Sequence, residues 1–157
     1  MNYTDLDAYP FAWVFRRADL AISDEDKAQI RPLAPHFARQ VWQREISQDG
    51  HDLDRLSSKE WPRRGDVWQD SVPWDDAFES DDPALPDAIA SHLPWNGETV
   101  VYLCYDPEHI LETRYSVFKR CWKGFLFAAE QTLVVGRKRK ETLWFVDETS
   151  VKRGVRP

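Results

Sequence analysis

Cysteine is almost missing from this chain: 157 residues hold only Cys104 and Cys121, each inside an apolar segment. Small secreted domains rely on several bridges, so two such cysteines exclude a disulfide framework and predict a reduced, cytoplasmic setting. Long apolar runs are missing too. Stretches such as Phe125 to Ala129 and Val100 to Tyr105 fall far short of the ~20 residues that span a bilayer, so no membrane association is expected. The opening "MNYTDLDAYPFAWVFRR" lacks the basic stretch and apolar core of a secretory leader. Glycine is sparse and scattered, which leaves no glycine-rich loop to cradle a phosphate.

What is present is aromatic and charged. Aromatic residues make up 13% of the chain, and eight are tryptophan, enough to build a core without staples. The length suits one domain over residues 1–157. The net charge of −6 conceals an asymmetry. Residues 47–112 carry sixteen acidic against four basic side chains, whereas residues 113–157 carry eleven basic against four acidic. Either each block meets an external partner of opposite sign, or the two face each other within the fold.

The patterning predicts an α+β fold with a mostly antiparallel sheet. "FAWVFRR" (11–17) reads as a short strand, and "SDED" (23–26) as a capped helix start. Pro35 opens a helix over 35–46, whose apolar stripe includes Phe37, Val41 and Trp42. Residues 83–93 read as a further helix, Trp95-Asn96-Gly97 as a turn, and 98–105 as a strand buried on both faces. A helix is then expected from Asp106, as N-cap, to Gly124, as its close, with Leu111, Tyr115, Phe118, Trp122 and Phe125 on one side. A three-strand meander from Phe125 to Glu148, turning within 137–140, completes the sheet, so three to four helices pack against it. Between them, residues 47–83 hold no period and are expected to be a long irregular loop.

"VFKRCWKGFLF", followed by "VVGRKRK" and a terminal "KRGVRP", resembles a small family of uncharacterised bacterial proteins classed as a domain of unknown function. The resemblance covers most of the chain and implies no activity, cofactor or catalytic residue.

Catalytic signals are weak. No two of the four histidines share the i, i+2 or i, i+4 spacing of metal sites, so no metal or other cofactor is expected. The turn Asp49-Gly50-His51-Asp52-Leu53-Asp54 offers at most weak sites for a hard cation, since it lacks the pattern of a calcium loop. No nucleophile elbow is present, and both cysteines belong to the core. Asp75 and Glu79 would share a helical face beside Trp74, the minimum for a carboxylate hydrolase. Such pairs arise by chance in any acidic chain, so no catalytic residue is assigned.

Two binding surfaces remain. Residues 61–82 hold Trp61, Trp68 and Trp74, seven acids and no lysine. Large rings are efficient anchors for an aperiodic loop, so one or two of the three should pack inward. The rest, with Asp75, Asp76, Asp81 and Asp82, would form a recognition surface for a basic protein partner. The alternative surface is Arg137, Lys138, Arg139 and Lys140, with Lys152, Arg153 and Arg156 behind them, suited to nucleic acid or another anionic ligand. The acidic isoelectric point, about 5.2, argues against nucleic acid.

Overall fold

The computed structural model describes all of residues 1–157. Its strands are β1 (Arg31–Pro32), β2 (Trp68–Pro73), β3 (Val100–Asp106), β4 (His109–Arg114), β5 (Thr132–Gly136), β6 (Glu141–Phe145) and β7 (Ser150–Val155). They form one sheet in the order β1-β4-β3-β5-β6-β7-β2, with every neighbouring pair antiparallel. The helices are α1 (Asp24–Lys27), α2 (Pro35–Glu45), α3 (Asp75–Glu79), α4 (Asp87–Ala90) and α5 (Tyr115–Phe127). The fold is therefore α+β with an antiparallel sheet, as the patterning predicts.

Alternation along the strands divides the core in two. Leu103, Leu111, Val134, Leu143 and Val151 point to one face, where Phe118, Trp122 and Phe125 of α5 cover them. Tyr102, Cys104, Leu133, Val135 and Trp144 point to the other, beneath Ala38, Val41 and Trp42 of α2 and Leu53 and Leu56 of the following loop. Both faces of β3 are covered, which is why its sequence is a continuous apolar run.

Several elements differ from the sequence reading. Residues 11–17 are not a strand: Ala12–Arg16 is a 3-10 helix. Its Phe15 packs against Phe125 with ring centroids 5.4 Å apart, and the sheet edge at β4 is already taken by β1. The helix expected from Asp106 starts nine residues later. Residues 106–109 instead turn the β3–β4 hairpin, and the Asp106 carboxylate accepts the Glu108 N–H at 2.8 Å. Leu111 thus lies on a strand, while Tyr115, Phe118, Trp122 and Phe125 do line α5. Gly124 does not close that helix, which runs on to Phe127. A Cβ there would lie 3.0 Å from Ile22 Cδ1, so the glycine lets the N-terminal segment approach.

The meander is shifted along the chain. Its third strand is Ser150–Val155, because Phe125–Phe127 belong to α5. The irregular segment 47–83 also contains more order than its sequence suggests. Trp68–Pro73 is the edge strand β2, paired to β7 through a bulge between Trp68 and Asp70, and Asp75–Glu79 is α3. The helix expected over 83–93 shrinks to four residues after Pro86.

Candidate functional site

The three tryptophans of residues 61–82 are all engaged with the fold. Trp61 donates its indole N–H to the Glu45 carbonyl at 2.8 Å, and Trp68 donates to the Pro62 carbonyl at 2.9 Å. The Trp68 ring sits between Trp61 and Trp144, with centroids 6.1 and 5.9 Å away. These two rings fasten the loop to the α2 side of the sheet. Trp74 is buried on the opposite side, edge-on to Phe145, Phe78 and Trp122 at 5.5, 5.4 and 6.3 Å. Its indole N–H is buried without an acceptor.

Trp74 also lines a cleft of about 420 Å³ formed by α3, the end of α5 and the β6–β7 turn. Its aromatic wall is Trp74, Phe78 and Phe127. Around that wall stand Asp75, Glu79, Glu130, Asp147 and Glu148, with no lysine, arginine or histidine among the lining residues. The wall continues outward: Phe127 stacks with Phe78 at 6.2 Å and meets Trp13 edge-on at 6.0 Å. Phe127 and Trp13 are among the few large apolar side chains exposed to solvent. The Arg17 guanidinium lies 4.2 Å from the centroid of the Phe127 ring, so this ledge already carries a cation of the chain itself.

Local structure explains why the carboxylates gather there. The Trp74 backbone N–H donates to the Thr149 carbonyl at 2.9 Å, which ties the start of α3 to the β6–β7 turn. Asp75 and Asp76 fall in the first turn of α3, where a negative charge suits the helix dipole. Asp147 accepts the N–H groups of Thr149 and Ser150 at 2.9 and 2.8 Å. Those backbone bonds hold its carboxyl below the usual range. Of the other residues predicted for this surface, Asp76 is exposed on α3 and Asp81 and Asp82 are exposed just after it, and none of the three lines the cleft. Glu130, Phe127, Asp147 and Glu148 were not anticipated, because they come from sequence-distant elements.

The basic turn 137–140 lies at the other end of the same strands. Arg137 donates to the Tyr102 hydroxyl through Nε and Nη2, at 3.0 and 2.7 Å, and to the buried Glu112 at 3.1 Å. Lys138, Arg139 and Lys140 are exposed. The acidic and basic blocks pair in part: Glu112 with Arg137, Asp70 with Arg153, and Glu98 with Arg114. The carboxylates around Trp74 take no share in that pairing.

Other chemically suggestive groups are structural. Burial pushes the Cys121 thiol up to about 12, helped by neighbouring Asp26, and raises that of Cys104 as well. Asp49, His51 and Glu60 bring one possible ligand atom each within 4.8 Å of one another. Glu60 already accepts hydrogen bonds from Ser47 Oγ and the Ser57 N–H and faces His51 Nδ1 at 3.1 Å. It therefore serves to clamp the loop. Asp54 turns away and accepts Gln131 Nε2 at 2.9 Å.

Fold and site together define an α+β protein with a single antiparallel sheet, carrying an acidic aromatic cleft at one end of its strands. The chain belongs to the family described as protein of unknown function DUF2947, whose model matches residues 3–154. No curated protein and no solved structure matches it. No helix is long and apolar enough to cross a membrane.

Proposed function

We propose that this protein is a non-catalytic recognition module that receives a basic segment of a protein partner in the cleft beside Trp74. The reading rests on one observation: five carboxylates surround an aromatic wall of Trp74, Phe78 and Phe127 with no cation lining the same cleft. Lysine and arginine side chains bury their apolar stems on such a wall and keep their charged ends toward the carboxylates. The exposed acids Asp76, Asp81 and Asp82, in α3 and just after it, add to the negative field and would speed encounter with a basic partner. Trp61 and Trp68 support the site by fixing the loop that leads into it. A cytoplasmic setting belongs to the same reading, supported by two unpaired, buried thiols.

The test is affinity purification of the tagged protein from its own cells at low salt, beside the charge-reversed variant Asp75→Lys/Glu79→Lys. A basic protein should co-purify in stoichiometric amount with the unaltered chain, leave with added salt, and be missing from the variant. Equal recovery with both chains would remove the cleft from consideration. A partner that resists salt would overturn the electrostatic basis of the reading.

A further inference from the structure

β6 runs from the basic turn at Glu141 to the acidic end at Phe145, so its five residues separate two sites of opposite charge. The basic end is concave. A cleft of about 660 Å³, in the range of small-ligand sites, opens between the 137–140 turn, the end of α2 and the C-terminal residues. Arg44, Arg137, Lys138, Arg139, Lys140 and Arg156 line it against a single acidic side chain, Glu45, with the terminal residue Pro157 at its edge.

Not all of these charges are free. Arg44 and Arg156 both pair with Glu45, at 3.1 and 2.7 Å, and Arg137 is committed to Tyr102 and Glu112. Lys138, Arg139 and Lys140 have no carboxylate partner within the chain, and the only side-chain hydrogen bond among the three runs from Arg139 to the Lys138 carbonyl. They remain as three adjacent cations on a turn that is held in shape. Arg156 Nη2 donates to the carbonyls of Gly136 and Arg139 at 3.0 and 2.6 Å, which bolts the two sides of the turn together. The Arg156 backbone N–H adds a third bond, to the Lys140 carbonyl at 2.7 Å. Lys138 sits at φ 59°, a left-handed conformation uncommon for a residue with a side chain. A turn whose only task was to reverse the chain would be better served there by glycine or asparagine.

From this we infer that the cleft under the 137–140 turn binds a small anion bearing several contiguous phosphates, with Lys138, Arg139 and Lys140 as its phosphate ligands. The three cations match the closely spaced charges of such a chain, and the clamped turn lowers the cost of ordering the backbone that carries them. The cleft's limited volume and the acidic isoelectric point of the protein, about 5.2, favour a small ligand over a nucleic-acid strand. This site is independent of the acidic cleft, and either can fail without the other.

Titration calorimetry of the full chain with tripolyphosphate at about 50 mM salt tests it, with ATP in a parallel titration. One saturable site is expected, weakening as salt rises and losing about tenfold or more in affinity in Lys138→Glu/Lys140→Glu. Arg55→Glu/Lys59→Glu removes the same charge outside the cleft and should leave affinity nearly unchanged. Tighter binding of ATP than of tripolyphosphate would identify a nucleotide as the source of the phosphates, and equal binding a bare phosphate chain. The absence of a saturable site, or equal losses in the two variants, would overturn the inference. So would a single-stranded oligonucleotide that binds about tenfold tighter than tripolyphosphate and depends on the same lysines, since the ligand would then be nucleic acid.

Discussion

Gly154 of β7 lies directly beneath the ring of Trp68, so close that a Cβ on it would stand 2.6 Å from Trp68 Cε3. The same Cβ would meet the Val67 carbonyl oxygen at 2.7 Å, and a backbone atom cannot rotate away. Gly154 pairs with Trp68 across the β2–β7 ladder, so the glycine is what lets the edge strand lie flat on the sheet.

Gly154→Ala should therefore destabilise the fold by ~1–3 kcal/mol, the usual cost of forcing atoms into a packed site. At this chain length that amounts to roughly 2–4 °C of melting temperature per kcal/mol. Gly65→Ala is the control, since nothing lies within 4 Å of a Cβ built there. Thermal unfolding of both variants by circular dichroism decides it: equal melting temperatures would mean that the Trp68 ring and the Val67 backbone both move aside.

Asp26 is buried, and its carboxylate takes two hydrogen bonds from Arg120 at 2.7 and 3.1 Å. The bonds from Arg120 are the largest influence on its pKa; they outweigh burial and hold it below the usual carboxylate value. The folded-state pKa is thus lower than the ~3.9 of the unfolded chain. Its stabilising contribution is complete above about pH 5 and is lost as pH falls below 4. Urea unfolding between pH 6 and pH 3 should show stability falling less steeply in Asp26→Asn than in the unaltered chain. Identical slopes would assign the acid sensitivity to other carboxylates.

Glu60 closes the loop that follows α2. Burial works to raise its pKa, yet the bonds from Ser47, Ser57 and His51 prevail and keep it low. Glu60→Gln keeps the shape but leaves fewer acceptors for three donors, at a cost of about 1–3 kcal/mol. The effect should be local, because the loop has few other attachments to α2 besides Trp42 and Trp61. Limited proteolysis should cut within residues 48–59 faster in the variant, with the sheet left intact. Unchanged cleavage would show that the indole bonds alone hold the loop.

Neither thiol should behave as a nucleophile. Both cysteines are buried and carry raised pKa values, Cys121 through burial and the nearby Asp26 carboxylate. Ellman's reagent at pH 8 should find almost no reactive thiol in the folded chain and two after unfolding in guanidinium. Fast labelling of Cys121 in the native protein would mean that the reagent reaches its thiol from the cleft of about 830 Å³ that it lines beside Asp26.

The sequence alone determined the outline of this protein, because the outline follows from local periodicity. α2 and the apolar stripe of α5 repeat at helical spacing, and the continuous run over β3 marks a strand covered on both faces. The turn at 137–140 was also legible, as a charged break between two apolar segments. Tertiary structure alone decided whatever depends on a neighbour's edge. His109–Arg114 reads as helix by its spacing with Tyr115 and Phe118, but β3 on one side and β1 on the other supply a ladder of hydrogen bonds that overrides local preference. Residues 11–17 lacked a free edge and coiled instead. The same holds for the candidate sites. The cations of the basic cleft are mostly adjacent in sequence and were visible there, whereas the acidic cleft joins Asp75 and Glu79 to Glu130, Asp147 and Glu148 only because antiparallel pairing returns the β6–β7 turn to the start of α3.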